Sequence, residues 1–161
     1  MPVTGLTLAA FALLLLGAPG VVQARARVII RHASQLQDEA GVVRASQPYL
    51  ALVRAHVLYE ECGEALGISA AKRQYLLAQF VPAANAYQAA YQEAFEAHVG
   101  VPPTQEMVDD IAAFITRQQQ MAVDRMAGIL RDKGCFQGKA LKLQRYVDAL
   151  YQRDTAPIPT P

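Results

Sequence analysis

The chain has no tryptophan, two cysteines and three serines, and after Leu6–Leu16 it has no second apolar run of that length. Each shortage excludes a class of function. The cysteines, Cys62 and Cys135, form neither a Cys-x-x-Cys redox pair nor a Cys-x-x-Cys-His haem attachment site. Of Ser34, Ser46 and Ser69, none sits in a Gly-x-Ser-x-Gly elbow, and two read as arm or cap residues. No glycine loop of the phosphate-binding type occurs. Charge of one sign is also lacking: fifteen Lys and Arg against fourteen Asp and Glu leave a net +1. That balance gives no overall footprint for nucleic acid or an anionic membrane.

Metal and cofactor chemistry find equally little support. His32, His56 and His98 share no ligand spacing, and the Glu-x-x-His pairs used by metal sites in helical bundles do not occur. His56, Glu60 and Glu64 form an i, i+4 row on one helix, which reads as a solvated or salt-bridged face. Met107, Met121 and Met126 fall at core spacing, where methionine fills space. No catalytic residue, metal or cofactor is expected, and the protein reads as a non-enzyme.

Leu6–Leu16 is interrupted only by Thr7 and is followed by Gly17, Pro19 and Gly20. Such a core is too short for a spanning helix, which needs about 20 residues, and reads as a secretory signal over residues 1–24. Cleavage after Ala24 is expected, with Ala26 the second choice. A retained N-terminal anchor is the alternative, because Arg25, Arg27 and Arg31 follow the core and none precedes it. The expected location is the periplasm or outside the cell, and no stable membrane insertion is expected after cleavage.

Val, Ile and Thr are scattered and alanine and glutamine abundant, a composition that favours helix over sheet. Residues 25–46 hold no sustained period and read as an arm, interrupted by Gly41. Four amphipathic helices then fill residues 47–153. The first spans Pro48–Gly67, capped by Ser46, with Gly63 inside it either fraying the helix or admitting another segment's backbone beside Cys62. The second starts after Ser69 with the seam Leu77, Phe80, Ala84, Tyr87, Tyr91, Ala94, His98, and its phase continues through Pro82, which predicts one kinked helix. The third is capped by Thr104, buries Val108, Ile111, Ile115, Ala122, Met126 and Ile129, and closes at Gly134. The fourth carries Phe136, Ala140, Leu143, Val147 and Leu150 and ends near Arg153. The proline-rich tail 154–161 cannot continue it.

The fold class expected is all-α, an up-and-down four-helix bundle. Following the helices in turn brings Cys62 and Cys135 to one end, and in an exported chain that predicts a disulfide. It would close a loop of roughly 70 residues and stabilise by about 4 kcal/mol in the chain-entropy model. Ion pairs are expected at the same end, between Glu60, Glu61, Glu64 and Lys133, Lys139, Lys142. The second and third helices, about 45 Å each at 1.5 Å per residue, outrun the others, so their hairpin over Tyr87–Ile115 should project. Its apolar face holds Tyr87, Tyr91, Phe95, Val108, Ile111 and Phe114. Either the arm 28–46 covers that face or a second chain does, and the second choice makes these six residues a partner surface. The functional expectation is a non-enzymatic protein–protein interaction or structural module of the cell envelope, self-association included. The alternative is a small-ligand carrier, for haem or a metal, with His56 or His98 as ligand.

Overall fold

The computed structural model describes residues 34–156. The expected signal peptide, its cleavage site, His32 and the last five residues lie outside that range. Within it the protein is helical, with no strand among the described residues. Residues 34–36 are helical, and after a turn four helices follow: α1 (Ala40–Cys62), α2 (Ala70–Val99), α3 (Gln105–Lys133) and α4 (Gly138–Thr155).

The core forms two clusters along the length of the molecule. At one end Leu36, Val42, Tyr49 and Val53 of the N-terminal part pack on Tyr87, Tyr91 and Phe95 of α2 and on Ile111, Phe114 and Ile115 of α3. At the other, Leu58, Tyr59 and Cys62 of α1 meet Leu76 of α2, Met126 and Leu130 of α3, and Ala140 and Val147 of α4. The early half of α1 thus meets the late half of α2 and the early half of α3, so α1, α2 and α3 alternate in direction. Only the second cluster includes α4.

Helix α1 departs most from the sequence reading. It begins at Ala40, so part of the expected arm is helix and Gly41 does not interrupt it. Ser46 is no cap: it lies inside the helix, its hydroxyl donating to the Val43 carbonyl at 3.0 Å. Pro48 is likewise interior. An interior proline costs about 3 kcal/mol, whereas burying one large apolar side chain returns about 1.5–3 kcal/mol. The extension buries Val42 and brings Leu36, just ahead of it, into the core beside Tyr49, and these burials offset the proline. The α-helix proper ends at Cys62, and hydrogen-bonded turns carry the chain to Gly67, whose φ of 64° is the left-handed stop expected there.

Helix α2 runs unbroken through Pro82. Its buried stripe is Leu76, Tyr87, Tyr91 and Phe95, which corrects the expected seam at both ends: Leu77 and His98 are exposed. Four-residue steps advance 400° round a helix, so this stripe rotates along α2. It faces α1 and α4 at one end and α1 and α3 at the other. The two inner caps are as expected, Ser69 Oγ accepting from Lys72 N at 3.3 Å and Thr104 Oγ1 from Met107 N at 3.4 Å. Gly134 ends α3 at φ 71°, its N–H donating to the Leu130 carbonyl. Phe136, expected inside, is exposed ahead of α4.

Candidate functional sites

Cys62 and Cys135 are joined in a disulfide, their Cα atoms 5.8 Å apart, tying the end of α1 to the α3–α4 link. Cys62 is buried and Cys135 half-buried beside a recess of about 440 Å³ that also touches Glu61 and Arg131. Gly63 makes room for the Arg73 side chain and for the Tyr59 carbonyl of its own helix rather than for another segment's backbone. A Cβ at this position would collide with the Arg73 guanidinium, which donates to the Tyr59 carbonyl at 3.1 Å.

The expected partner surface on the α2–α3 hairpin is core. Tyr87, Tyr91, Phe95, Ile111 and Phe114 are buried and Val108 is half-buried. The extended α1 covers them, the arm alternative realised as helix. The Tyr49 and Tyr87 rings stand 5.7 Å apart, Tyr87 and Tyr91 5.3 Å, and Tyr91 and Phe114 5.6 Å. Burial raises the Tyr87 hydroxyl and pushes that of Tyr91 well above the usual tyrosine range. The Tyr91 hydroxyl is fully buried next to that of Tyr87, with no hydrogen bond of good geometry, and the buried Tyr59 hydroxyl has no partner. Tyr49, by contrast, donates to Gln119 Oε1 at 2.8 Å. That bond accounts for one member of the glutamine run that interrupts α3.

The two described histidines lie in different surroundings. His56 packs edge-on against Phe80 at 5.7 Å, and His98 is exposed near the end of α2. Glu60 lies 3.8 Å from Arg73. Among the described residues no cluster of three His, Cys, Asp or Glu side chains could hold a metal. The expected ion pairs of Lys133, Lys139 and Lys142 with Glu60, Glu61 and Glu64 do not form. The cross-helix pairs near this end are Arg73–Glu60, from α2 to α1, and Lys72–Asp148 at 2.6 Å, from α2 to α4.

Where α4 ends, Tyr75 donates to Asp154 Oδ2 at 2.6 Å, and Arg153 Nε donates to the other oxygen at 2.7 Å. Burial first, and the bond to Asp154 second, push the Tyr75 hydroxyl up to about 12. Arg153 first and Tyr75 second hold the Asp154 carboxyl below its ordinary value. The two interior prolines, Pro48 and Pro82, line a recess of about 420 Å³ beside this cluster.

Two further features come from the surface. Between Arg73 and Glu93 helix α2 has no charged residue, a stretch of nineteen. Its outer face there presents Leu77 and Val81, 54% and 67% exposed, among Gln74, Ala78, Asn85 and Ala89. On the other side of the molecule, Arg54, Arg125, Lys139 and Lys142 surround a recess of about 300 Å³ floored by Met126, Ile129 and Leu143. The charge gap is visible in the sequence as a missing residue type. The basic recess is not, because its cations come from three helices.

No family model, no curated protein and no solved structure matches the chain.

Proposed function

We propose that this is an exported, non-enzymatic helical bundle of the up-and-down type that works by protein contact, in the first place with a second copy of itself. The observation that carries the reading is the nineteen-residue stretch of α2 without a charge, whose outer face exposes Leu77 and Val81. Interface centres are depleted of charged residues, and a helix apolar on more than one side is ordinarily buried on more than one side. In an isologous pair the same patch meets itself, so an uncharged face meets no like charge. The reading also draws on the disulfide, which belongs to an oxidising compartment, and on the signal-like residues 1–24. No helix among the described residues is long and apolar enough to cross a membrane.

Native mass spectrometry of the mature, oxidised protein is the test. A dimer that becomes monomeric in the doubly substituted Leu77→Glu, Val81→Glu protein, with unchanged melting temperature, is the expected result. Both side chains are exposed, so the substitutions do not touch the core. A dimer that survives them would remove α2 as the contact, and a wild-type monomer at high concentration would remove self-association.

A further inference from the structure

Glu60, Glu61 and Glu64 stand beside Cys62, but the α3–α4 side of the disulfide end is crowded with cations. Residues 125–145 include six Arg and Lys against a single acid, Asp132, and Arg54 of α1 joins them across the 300 Å³ recess. Helical neighbours stand three and four residues apart, and that is where a compensating carboxylate would sit. Around Arg54 those places hold Leu50, Ala51, Val57 and Leu58; around Arg125 they hold Met121, Ala122, Gly128 and Ile129. Lys139 and Lys142 have no acid at these offsets either, and each is the other's neighbour.

Nor does a carboxylate arrive from elsewhere. All fourteen acidic residues fall between Asp38 and Asp154, within the described range. The ion pairs there use Lys72, Arg73 and Arg153, and none uses the four cations of the recess. Arg54 is half-buried, and its charge is disfavoured first by desolvation and then by Arg125. Lys139 stands in the first turn of α4, which has no acid and no side-chain cap. A cation there opposes the helix dipole. Four unneutralised cations over an apolar floor are complementary to a molecule with a strongly anionic head and an apolar body.

We infer that this recess binds a small phosphomonoester amphiphile. Its head would lie among Arg54, Arg125, Lys139 and Lys142, and its body on Met126, Ile129 and Leu143. A phosphomonoester carries nearly two charges and three acceptor oxygens, and guanidinium forks bind it bidentately; a carboxylate brings one charge to four cations. The volume is at the lower end of the range for ligand pockets, which fits a short apolar body. No aromatic ring lines the recess to stack on a base, which sets it apart from single-stranded nucleic-acid sites. No residue of α2 lines it either, so the site stands independently of the α2 contact.

Isothermal titration of the mature, oxidised protein at low salt tests this, with octyl phosphate, inorganic phosphate and octyl glucoside as probes. Octyl phosphate should bind at least about tenfold more tightly than inorganic phosphate, and octyl glucoside should not bind. Arg54→Gln with Arg125→Gln should weaken octyl phosphate at least about tenfold, one charge-assisted contact being worth roughly that factor. The same variant should melt no lower than wild type, because it relieves an internal repulsion. Lys139→Gln with Lys142→Gln, both exposed, gives a second variant with the same expected direction. Sedimentation with phosphatidate-containing vesicles, lost in both variants, would identify the head as a lipid's; octyl phosphate binding without sedimentation would identify a free ligand. No binding of octyl phosphate, binding indifferent to both variants, or equal affinity for inorganic phosphate would each overturn the assignment.

Discussion

Tyr91 gives the sharpest check on the packing described above. Its ring is fully buried between Tyr87 and Phe114, at centroid distances of 5.3 and 5.6 Å, while its hydroxyl makes no hydrogen bond of good geometry. An unsatisfied buried hydroxyl costs about 1–3 kcal/mol, and Tyr91→Phe removes it while keeping both ring contacts. The substitution should therefore stabilise by about 1 kcal/mol or more. For a domain of this size that raises the melting temperature by roughly 3–5 °C. Tyr49→Phe is the control, because the Tyr49 hydroxyl donates to Gln119 at 2.8 Å. Losing that bond should cost about 0.5–1 kcal/mol, at the lower end because exposed Gln119 turns to water. Guanidinium unfolding of both variants beside the wild type reads the two signs. If Tyr91→Phe destabilises by about 1 kcal/mol or more, the hydroxyl is satisfied, by the neighbouring Tyr87 hydroxyl or by a buried water, and this core end is not under polar strain.

Two other expectations concern aromatic side chains. Replacing Tyr91 and Phe95 together by Ser would leave a surface patch folded but should unfold a core, at about 3–5 kcal/mol for each large aromatic truncated; circular dichroism decides between them. At alkaline pH, Tyr59 and Tyr75 are pushed up to about 12, from an ordinary 10. Between those values the unfolded chain gives up tyrosine protons that the folded one keeps, so it binds fewer protons and stability falls as pH rises. Stability from these groups should be complete below about pH 10 and decline from there toward pH 12, as read from denaturation midpoints across that window. A midpoint that holds steady through it would contradict their protected environment.

The parts of the fold legible in the sequence were those with a local chemical signal. Ser69 and Thr104 announce helix starts, Gly134 announces a stop, Gly63 marks the early end of α1, and the order of the helices brings Cys62 and Cys135 to one end. What failed was set by distant contacts. Gly41, Ser46 and Pro48 all argue locally against helix, yet burial of Leu36, Val42 and Tyr49 overrides them. That one error moved the proposed contact, because a longer α1 covers the hairpin face that looked open. Adjacent Leu76 and Leu77 both fit a three-to-four spacing, and only the crossing of α1 and α2 selects Leu76. The basic recess had a faint local trace, cations with no acid three or four residues away. Its convergence from α1, α3 and α4 belongs to tertiary structure alone.

The disulfide and the charge at its end are one problem in energetics. Cys135 lies in the middle of the basic stretch 125–145, so the covalent link anchors the segment that electrostatic repulsion would loosen. A link across 73 residues stabilises by about 4 kcal/mol in the chain-entropy model, whatever the salt concentration. Repulsion among exposed cations is screened, since the Debye length falls from about 10 Å at 0.1 M to about 3 Å at 1 M salt. With the disulfide intact, the corner stays closed at every ionic strength, and added salt should raise the melting temperature only slightly. In the Cys62→Ser, Cys135→Ser protein the same repulsion acts on a corner free to open. Salt should then recover a visible part of the lost stability, and phosphate, if it occupies the recess, should recover more than chloride at equal ionic strength. Melting curves of both proteins across a salt series separate the two contributions. Parallel salt dependences would mean that the corner is not under electrostatic load, and equal effects of phosphate and chloride would confine that load to general screening.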